Sequence, residues 1–154
     1  MTDRGHLMRG TLERDGARLT GMRIEAERPL MRGVPYDPRF PYIDGEDAAL
    51  APDGTVFVVF EHAMRILRYD DWDEDPSPPS STRAWRALSP NTGLESLALD
   101  ADGTLYTIPE GAAPRAFDAL IYRQKPGGAW EQPFTLPLTW RFKPVGADFG
   151  PDGL

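Results

Sequence analysis

The residues of this 154-residue chain that could do chemistry are mostly carboxylates, and they recur at matching places. When the segment LESLALDADGTLYTIPE is slid over GEDAALAPDGTVFVVFE, Glu95 matches Glu46 and Glu110 matches Glu61. Like charges held close together are costly unless a cation offsets them. Rings of hard oxygen ligands are what Ca²⁺ or Mg²⁺ takes in proteins. The repeated acids therefore predict a divalent-cation site, and we expect the ion to be Ca²⁺.

Further acids and one histidine complete the candidate set. Asp44 belongs to the dense acidic group DGED, whereas Asp3 and Asp148 lie near the corresponding points of neighbouring copies. A histidine beside a carboxylate can act as a general base, and His62 follows Glu61 directly. The predicted metal ligands are Asp3, Asp44, Glu46, Glu95 and Asp148. The predicted catalytic residues are Glu61, Glu110 and His62.

Each of these acids also has an ordinary structural interpretation. Acids at strand ends often cap turns or pair with arginine. The available arginines are Arg4, Arg65, Arg115 and Arg141. For a single acid the structural role is favoured, but for the set that repeats in register both interpretations stay open. His6, which occupies the place that matches His62, is expected to be incidental.

Other motifs that carry chemistry are missing or incomplete. Asp71, Asp73 and Asp75 match the start of a calcium loop, but Pro76 stands where the sharp turn requires glycine. We therefore expect a solvated acidic loop there. The sequence contains no nucleophile elbow, Walker loop, dinucleotide fingerprint or paired-histidine zinc motif.

Composition limits the possible partners of the chain. The net charge of −7 argues against a nucleic-acid or anionic-membrane surface, because phosphate binding needs a basic face. Cysteine is absent, which excludes disulfides and thiolate chemistry. No apolar run approaches the length of a membrane span, and we expect no membrane insertion. Proline and glycine number 16 and 15, which indicates many turns.

A repeat positions the acids. Asp102-Gly103 lies 49 residues after Asp53-Gly54, and Asp152-Gly153 follows 50 residues later. A strand-rich repeat of this length, with a turn at a fixed place, indicates an all-β fold built as a β-propeller of four-stranded antiparallel blades. In such a blade the start of the first strand and the end of the second share one mouth of the central channel. The repeated acids are expected to converge there.

The strands of the repeat predict the organisation of the chain. Residues 1–28 are expected to form a half blade, with strands at Leu7–Leu12 and Leu19–Ile24. Residues 44–89 and 93–138 are expected to form whole blades, and residues 145–154 to begin another. The fourth strand of the first whole blade is predicted at Arg83–Leu88. The four tryptophans, Trp72, Trp85, Trp130 and Trp140, are expected to pack between blades.

This arrangement predicts an open arc, roughly half of a propeller, cut from a longer protein. A propeller closes only with about four to eight blades, and an open arc leaves edge strands exposed. We therefore expect little or no activity from residues 1–154 alone.

The same phrases resemble a known family, the esterase-like phytase domain, a bacterial β-propeller family. The matching segments are TDRGHL, DGEDAALAPDGTVFVVFEH, PNTGLESLALDADGTLYTIPE and RFKPVGADFGPDGL, which occur in the family's order over nearly the whole chain. The resemblance implies a propeller of about six blades, export to the periplasm or beyond, and esterase-like or phosphoesterase-like activity. It also implies that Asp3, Arg4, Glu46, Glu61, Glu95 and Glu110 are the motif residues. The chain departs from the family at Asp47, where a glycine commonly follows the acid.

Two functions follow from this sequence. The first is an exported propeller hydrolase in which Ca²⁺ at the acidic mouth helps to cleave a small-molecule ester or phosphoester. The second is a non-catalytic propeller that binds a small ligand, sugar or protein partner at the same mouth. The fold alone does not choose between them.

Overall fold

The computed structural model describes residues 5–30, 44–62, 64–89, 92–111, 118–138 and 142–153. Within these residues the chain is all-β and forms three antiparallel sheets that do not close into a ring. The first sheet is the hairpin β1 (His6–Asp15) and β2 (Arg18–Pro29). The second contains β3 (Gly45–Leu50), β4 (Val56–Phe60) and β5 (Arg65–Tyr69), and the third β6 (Leu94–Leu99), β7 (Leu105–Pro109), β8 (Asp118–Gln124) and β9 (Trp130–Pro137). This is the predicted fold class, all-β with open antiparallel sheets, and it is consistent with a fragment of a β-propeller.

The turn that defines the repeat has the same geometry three times. Gly54, Gly103 and Gly153 have φ angles of 94°, 78° and 76°, which glycine adopts without steric cost. In each turn the glycine amide donates to the carbonyl oxygen three residues earlier, at 3.0, 3.0 and 2.9 Å. In the first two copies the turn connects adjacent antiparallel strands, β3 to β4 and β6 to β7. The sequence repeat is thus a structural repeat.

The sheets pack face to face, with the second sheet between the other two. Val58 and Phe60 of β4 belong to one apolar cluster, which includes Leu7 of the hairpin. Val59, which points to the opposite face, belongs to a second cluster that contains Leu97 of the third sheet. Because successive side chains of a strand point to opposite faces, the apolar run VFVVF fills both interfaces.

The predicted fourth strand at Arg83–Leu88 is wrong, because Arg83–Ala87 forms a short 3₁₀ helix. Thr82 caps this helix by accepting a hydrogen bond from the Ala84 amide at 3.4 Å. Upstream, the prolines of PSPP lack the amide hydrogens that a strand ladder requires. The segment contacts β5 through two hydrogen bonds of 2.9 Å between Ser80 and Ile66 and one of 2.8 Å from the Ser77 amide to the Arg68 carbonyl oxygen, which form an isolated bridge and no strand.

Trp85 fills the core from this helix. It is buried in the interface between the second and third sheets, 6.0 Å from the Tyr122 ring and 5.0 Å from the Trp130 ring. Trp130 also donates a hydrogen bond from Nε1 to Ser80 Oγ at 2.9 Å. The predicted packing role of these two tryptophans is therefore confirmed, although Trp85 does not lie on a strand. Trp140 lies outside the described residues.

One carboxylate connects three successive copies of the repeat. Asp47 of β3 accepts hydrogen bonds at Oδ2 from the amide of Leu97 in β6, at 2.9 Å, and from the amide of Ala147, at 3.4 Å. Its Oδ1 accepts from the adjacent Ala48 amide at 2.8 Å. A carboxylate that accepts several amide hydrogen bonds holds its neighbours firmly. Asp47 therefore fixes the spacing of the innermost strands.

At the two ends, the hairpin agrees with its prediction and the last segment does not add a strand. The hairpin strands are longer than predicted and cover both Leu7–Leu12 and Leu19–Ile24. Residues 142–153 contain the repeated turn but no strand, and the division of the chain into blades stays a prediction. Among the described residues, no helix has the length and apolar character needed to cross a membrane.

Candidate functional site

Two β-bulges place Glu46 and Glu95 at the centre of the candidate site. In the second sheet Gly45 pairs with Phe60 and Asp47 pairs with Val59, so Glu46 is an extra residue without a partner. In the third sheet the pairs that flank Glu95 show the same shift. A bulge re-aims the extra side chain and often lies beside a functional site. The same irregularity therefore presents an acid from each of two adjacent sheets.

Glu61 and Glu110 complete the acidic group because each follows the strand that pairs with a bulge. Glu61 comes directly after β4, and Glu110 directly after β7. Carboxylate oxygens of Glu46, Glu61 and Glu95 all lie within 4.8 Å of one another. We call Glu46, Glu61, Glu95 and Glu110 the acidic mouth. The structure thus brings together the four acids that the sequence repeat singles out.

Burial and mutual repulsion both favour the protonated forms of the buried acids of the mouth. Burial, followed by the charges of Glu95, Asp44 and Glu61, raises the pKa of Glu46 to about 8. Burial, followed by the charges of Glu61, Glu110 and Asp44, raises the pKa of Glu95 to about 7, against a hydrogen bond from Glu46 that lowers it. Both groups therefore hold protons near neutral pH unless a cation replaces them.

A second group adjoins the mouth and shares Glu61 with it. His62 Nδ1 lies 3.0 Å from Asp44 Oδ2 and 3.4 Å from Glu61 Oε2, and the three side chains form a compact cluster. The backbone supports this arrangement because the Glu61 amide donates to the Asp44 carbonyl oxygen at 3.3 Å. The second copy has Gly93 and Gly111 where the first has Asp44 and His62, so this group is not repeated.

Gly93 positions Glu61 from the next sheet, and the sequence interpretation missed it. The Gly93 amide donates to Glu61 Oε1 at 3.4 Å, while its carbonyl oxygen accepts from the Glu110 amide at 2.8 Å. A Cβ at this position would lie 2.8 Å from the Glu61 carbonyl oxygen, so a side chain does not fit. The signal in the sequence is the glycine of PNTGLE, two residues before the repeated Glu95.

Lys143 is the second residue that the sequence interpretation missed. Its Nζ lies 2.9 Å from Glu110 Oε1, so it brings a positive charge to the rim of the mouth. The lysine is more than half exposed, whereas the Glu110 side chain is largely buried. The cations proposed from sequence were arginines, of which Arg65 lies over the Phe60 ring at 4.4 Å. Arg4, Arg115 and Arg141 lie outside the described residues.

The remaining candidates lie apart from the mouth or outside the description. Asp148 is exposed and lines a cavity of about 620 Å³ together with Asp47. It belongs to neither of the metal-type clusters found among the described residues. The 50-residue offset of the third copy puts Val145, not Asp148, at the place of Glu95. His6 contacts Glu27 within the hairpin, and Asp3 lies outside the described residues.

The chemistry of the mouth fits a divalent cation. Three carboxylates with oxygens this close repel one another, and burial together with this repulsion raises the pKa values of Glu46 and Glu95. A hard cation with several oxygen ligands removes the repulsion. The neighbouring cluster of Asp44, Glu61 and His62 offers mixed oxygen and nitrogen ligands. The residues present could therefore hold a metal ion.

Comparison with known proteins identifies the family and no individual relative. A family model described as "Phytase-like: Esterase-like activity of phytase" matches residues 1–154, the whole chain. No curated protein and no solved structure matches it.

Proposed function

Because the chain belongs to the phytase-like family with esterase-like activity, we propose that it forms the metal-binding mouth of a hydrolase for small-molecule esters or phosphoesters. The observation that carries this proposal is the cluster of Glu46, Glu61 and Glu95, which two bulges and one strand end bring within 4.8 Å. A family assignment alone would not specify a site, since function depends on geometry. Here the family and the acids point to the same class of reaction.

The proposed ligands are Glu46, Glu61 and Glu95, with Ca²⁺ as the preferred ion because the donors are carboxylate oxygens. A bound divalent cation supplies polarisation of the ester oxygen and lowers the pKa of a bound water. Glu61 is held in place by the Gly93 amide, which leaves its carboxylate pre-organised for this role. Asp44 adjoins the mouth and is proposed as a supporting ligand.

The proposed base is His62. Its Nδ1 faces Asp44 at 3.0 Å, so the carboxylate favours the tautomer with the proton on Nδ1. Nε2 is then the nitrogen able to accept a proton from water. The second copy of the repeat has glycines in place of Asp44 and His62, so the proposed base belongs to the first copy and not to the second.

Glu110 and Lys143 are proposed to shape the substrate side of the mouth. Their contact of 2.9 Å places one exposed positive charge beside the acidic group. A lysine there suits a substrate that carries a negative charge, because the ammonium can exchange its partner from the carboxylate to the substrate. This supports a phosphoester or a carboxylate-bearing ester.

The family resemblance also supports export to the periplasm or beyond.

The test is a Ca²⁺ titration of the full-length protein with two readouts. We expect Ca²⁺ to raise the melting temperature and to support hydrolysis of p-nitrophenyl phosphate or p-nitrophenyl acetate. Glu95→Gln should weaken both responses, whereas Glu74→Gln, a matched change in the exposed acidic loop, should leave both unchanged. Ca²⁺ binding without turnover of any ester would support the non-catalytic propeller. A protein that shows neither response would refute the metal site.

A further inference from the structure

The cavity beside Asp47 lies along the same two strands that carry the central acids of the mouth. Its volume is about 620 Å³, within the range of small-molecule sites in proteins. β3 and β6 are edge strands of their sheets, and Glu46 and Glu95 are their second residues. Leu50 and Leu99, which line the cavity, each follow the acid of their own strand by four residues, a separation of about 13 Å. The two strands therefore lead from the mouth to the cavity.

The wall of this cavity offers apolar surface to a ligand. Six of its nine lining residues have aliphatic side chains: Ala48, Ala49, Leu50, Leu97, Leu99 and Ala147. Ala49 and Leu97 are buried, so the accessible part of this surface belongs to the other four. Leu50 is 70% exposed, although it is a large apolar residue. An aliphatic chain that covers Leu50 gains free energy because it removes apolar surface from water.

The two acids of the wall select against a chain that carries a negative charge. The Asp47 carboxylate already accepts hydrogen bonds from three backbone amides, so it needs no polar group from a ligand. Asp148 is exposed, and its Oδ1 accepts a hydrogen bond from the Phe149 amide at 2.9 Å. Both charges would repel an anionic chain end, whereas a neutral aliphatic chain meets no such repulsion.

The rim of the mouth favours the opposite kind of group. Lys143 brings an exposed ammonium to the rim, 2.9 Å from Glu110, and a cation held by the mouth would add further positive charge. Both would attract the anionic reacting group of a phosphoester. A ligand that satisfies the mouth and the cavity together is therefore amphipathic, with an anionic head and a neutral aliphatic chain.

We propose that the cavity beside Asp47 binds the aliphatic chain of the substrate, and that the substrate is a phosphoester of a linear aliphatic alcohol. The phosphoryl group lies at the acidic mouth beside Lys143, and the chain lies against Leu50 and Leu99. This inference rests on the proposed function, because it assigns the substrate class of the same mouth.

The test measures the contribution of the chain without any turnover. Methylphosphonate, hexylphosphonate and 6-phosphonohexanoate are titrated by calorimetry into the full-length protein in Ca²⁺, since their carbon–phosphorus bond is not an ester and is not hydrolysed. We expect hexylphosphonate to bind at least about tenfold more tightly than methylphosphonate, because the cavity buries part of its chain. 6-Phosphonohexanoate should lose most of this gain, because its chain ends in a carboxylate near Asp47 and Asp148.

Leu50→Ser tests the wall itself. It should lower the ratio of hexylphosphonate to methylphosphonate affinity at least about threefold, because it removes apolar surface that the chain covers. Since Leu50 is largely exposed, the substitution leaves the core unchanged. Leu12→Ser is the matched control, because Leu12 is also exposed but lies in the hairpin and does not line the cavity, and the ratio should change less than about twofold.

The outcomes separate this inference from the proposed function. Equal affinities for hexylphosphonate and methylphosphonate would overturn the inference, and so would an unchanged ratio in Leu50→Ser. If p-nitrophenyl phosphate is hydrolysed in Ca²⁺ but the chain adds no affinity, the hydrolase stands and the substrate class is refuted. If hexylphosphonate is preferred but no ester is hydrolysed, the cavity is supported as a site for the chain and the hydrolase is refuted.

Discussion

Replacing Glu46 by glutamine should stabilise the metal-free chain at alkaline pH and weaken its response to Ca²⁺. Burial and the charges of Glu95, Asp44 and Glu61 raise the pKa of Glu46 to about 8. A carboxyl whose pKa is raised in the folded chain contributes its full stability only below its ordinary pKa of 4.5, and this contribution is lost progressively as the pH rises from there through about 8. Glutamine is neutral at every pH, so it removes the repulsion but also removes a metal ligand.

The magnitude follows from the difference between this pKa and the ordinary value of 4.5. For a fully buried group the difference would be worth about 5 kcal/mol at high pH. Glu46 is half-buried, and solvent screens much of its repulsion, so we expect Glu46→Gln to add about 1–2 kcal/mol at about pH 8.5. For a chain of this size that is a rise of about 3–6 °C in melting temperature.

The assay is urea unfolding in EDTA at about pH 8.5 and about pH 5, repeated with Ca²⁺. Most of the stabilisation should be lost at the lower pH, which is close to the ordinary pKa of 4.5, because little of the difference between the folded and unfolded carboxyl has developed there. Glu74→Gln, an exposed glutamate in the acidic loop, is the matched control and should change stability by less than about 0.5 kcal/mol. Equal or lower stability of Glu46→Gln at about pH 8.5 in EDTA would refute the repulsion, and an unchanged Ca²⁺ response would refute the ligand role.

Three further predictions concern the mouth and the core. The rise in melting temperature caused by Ca²⁺ should be larger at about pH 8.5 than at about pH 5.5, because protons compete for Glu46 and Glu95, whose pKa values are about 8 and about 7; an equal rise at both pH values would contradict this. Gly93→Ala should cost about 1–3 kcal/mol and weaken Ca²⁺ binding, because its Cβ would meet the Glu61 carbonyl oxygen. Gly146→Ala has open space around its Cβ and is the control in the same denaturation and titration experiments. Trp85→Ala should cost about 3–5 kcal/mol in urea unfolding because the side chain is buried between two sheets, and a loss below about 1 kcal/mol would show that the interface does not depend on it.

The sequence predicted the repeat because its turns are determined locally. An Asp-Gly pair predicts a turn in which the glycine adopts a positive φ, and this pair recurs at a fixed spacing. The structure has a positive φ at Gly54, Gly103 and Gly153. The apolar run of β4 likewise predicts a strand buried on both faces. These features depend on a few adjacent residues, so composition and spacing are sufficient to find them.

The prediction of a fourth strand at Arg83–Leu88 was wrong because this segment contains competing local signals. RAWRAL alternates like a strand, but Thr82 caps a helical turn and the preceding prolines cannot join a ladder. The single bulky side chain of Trp85 then fills the space between the sheets. The core between the second and third sheets is therefore filled without the strand that the alternating pattern predicted.

The sequence predicted the acids of the candidate site but not the features of the fold that position them. The repeat identified Glu46, Glu61, Glu95 and Glu110, which the fold brings together. It did not predict the bulges that aim two of them, because a bulge adds one residue without changing the residue types. Lys143 reaches the rim from a segment far along the chain, and no local pattern specifies such a contact.

The carboxylate of Asp47 makes the copies of the repeat non-interchangeable. The corresponding residue of the next copy is Ser96, whose hydroxyl donates within its own sheet to the Ile108 carbonyl oxygen and so spans no boundary. Asp47 of the first copy thus bonds to the neighbouring copies, whereas Ser96 of the second copy does not. The two copies are therefore not equivalent in their positions along the chain. A serine at position 47, as in the second copy, would remove the carboxylate that accepts from the Leu97 and Ala147 amides. This contact between the innermost strands thus depends on one residue that the repeated pattern does not specify.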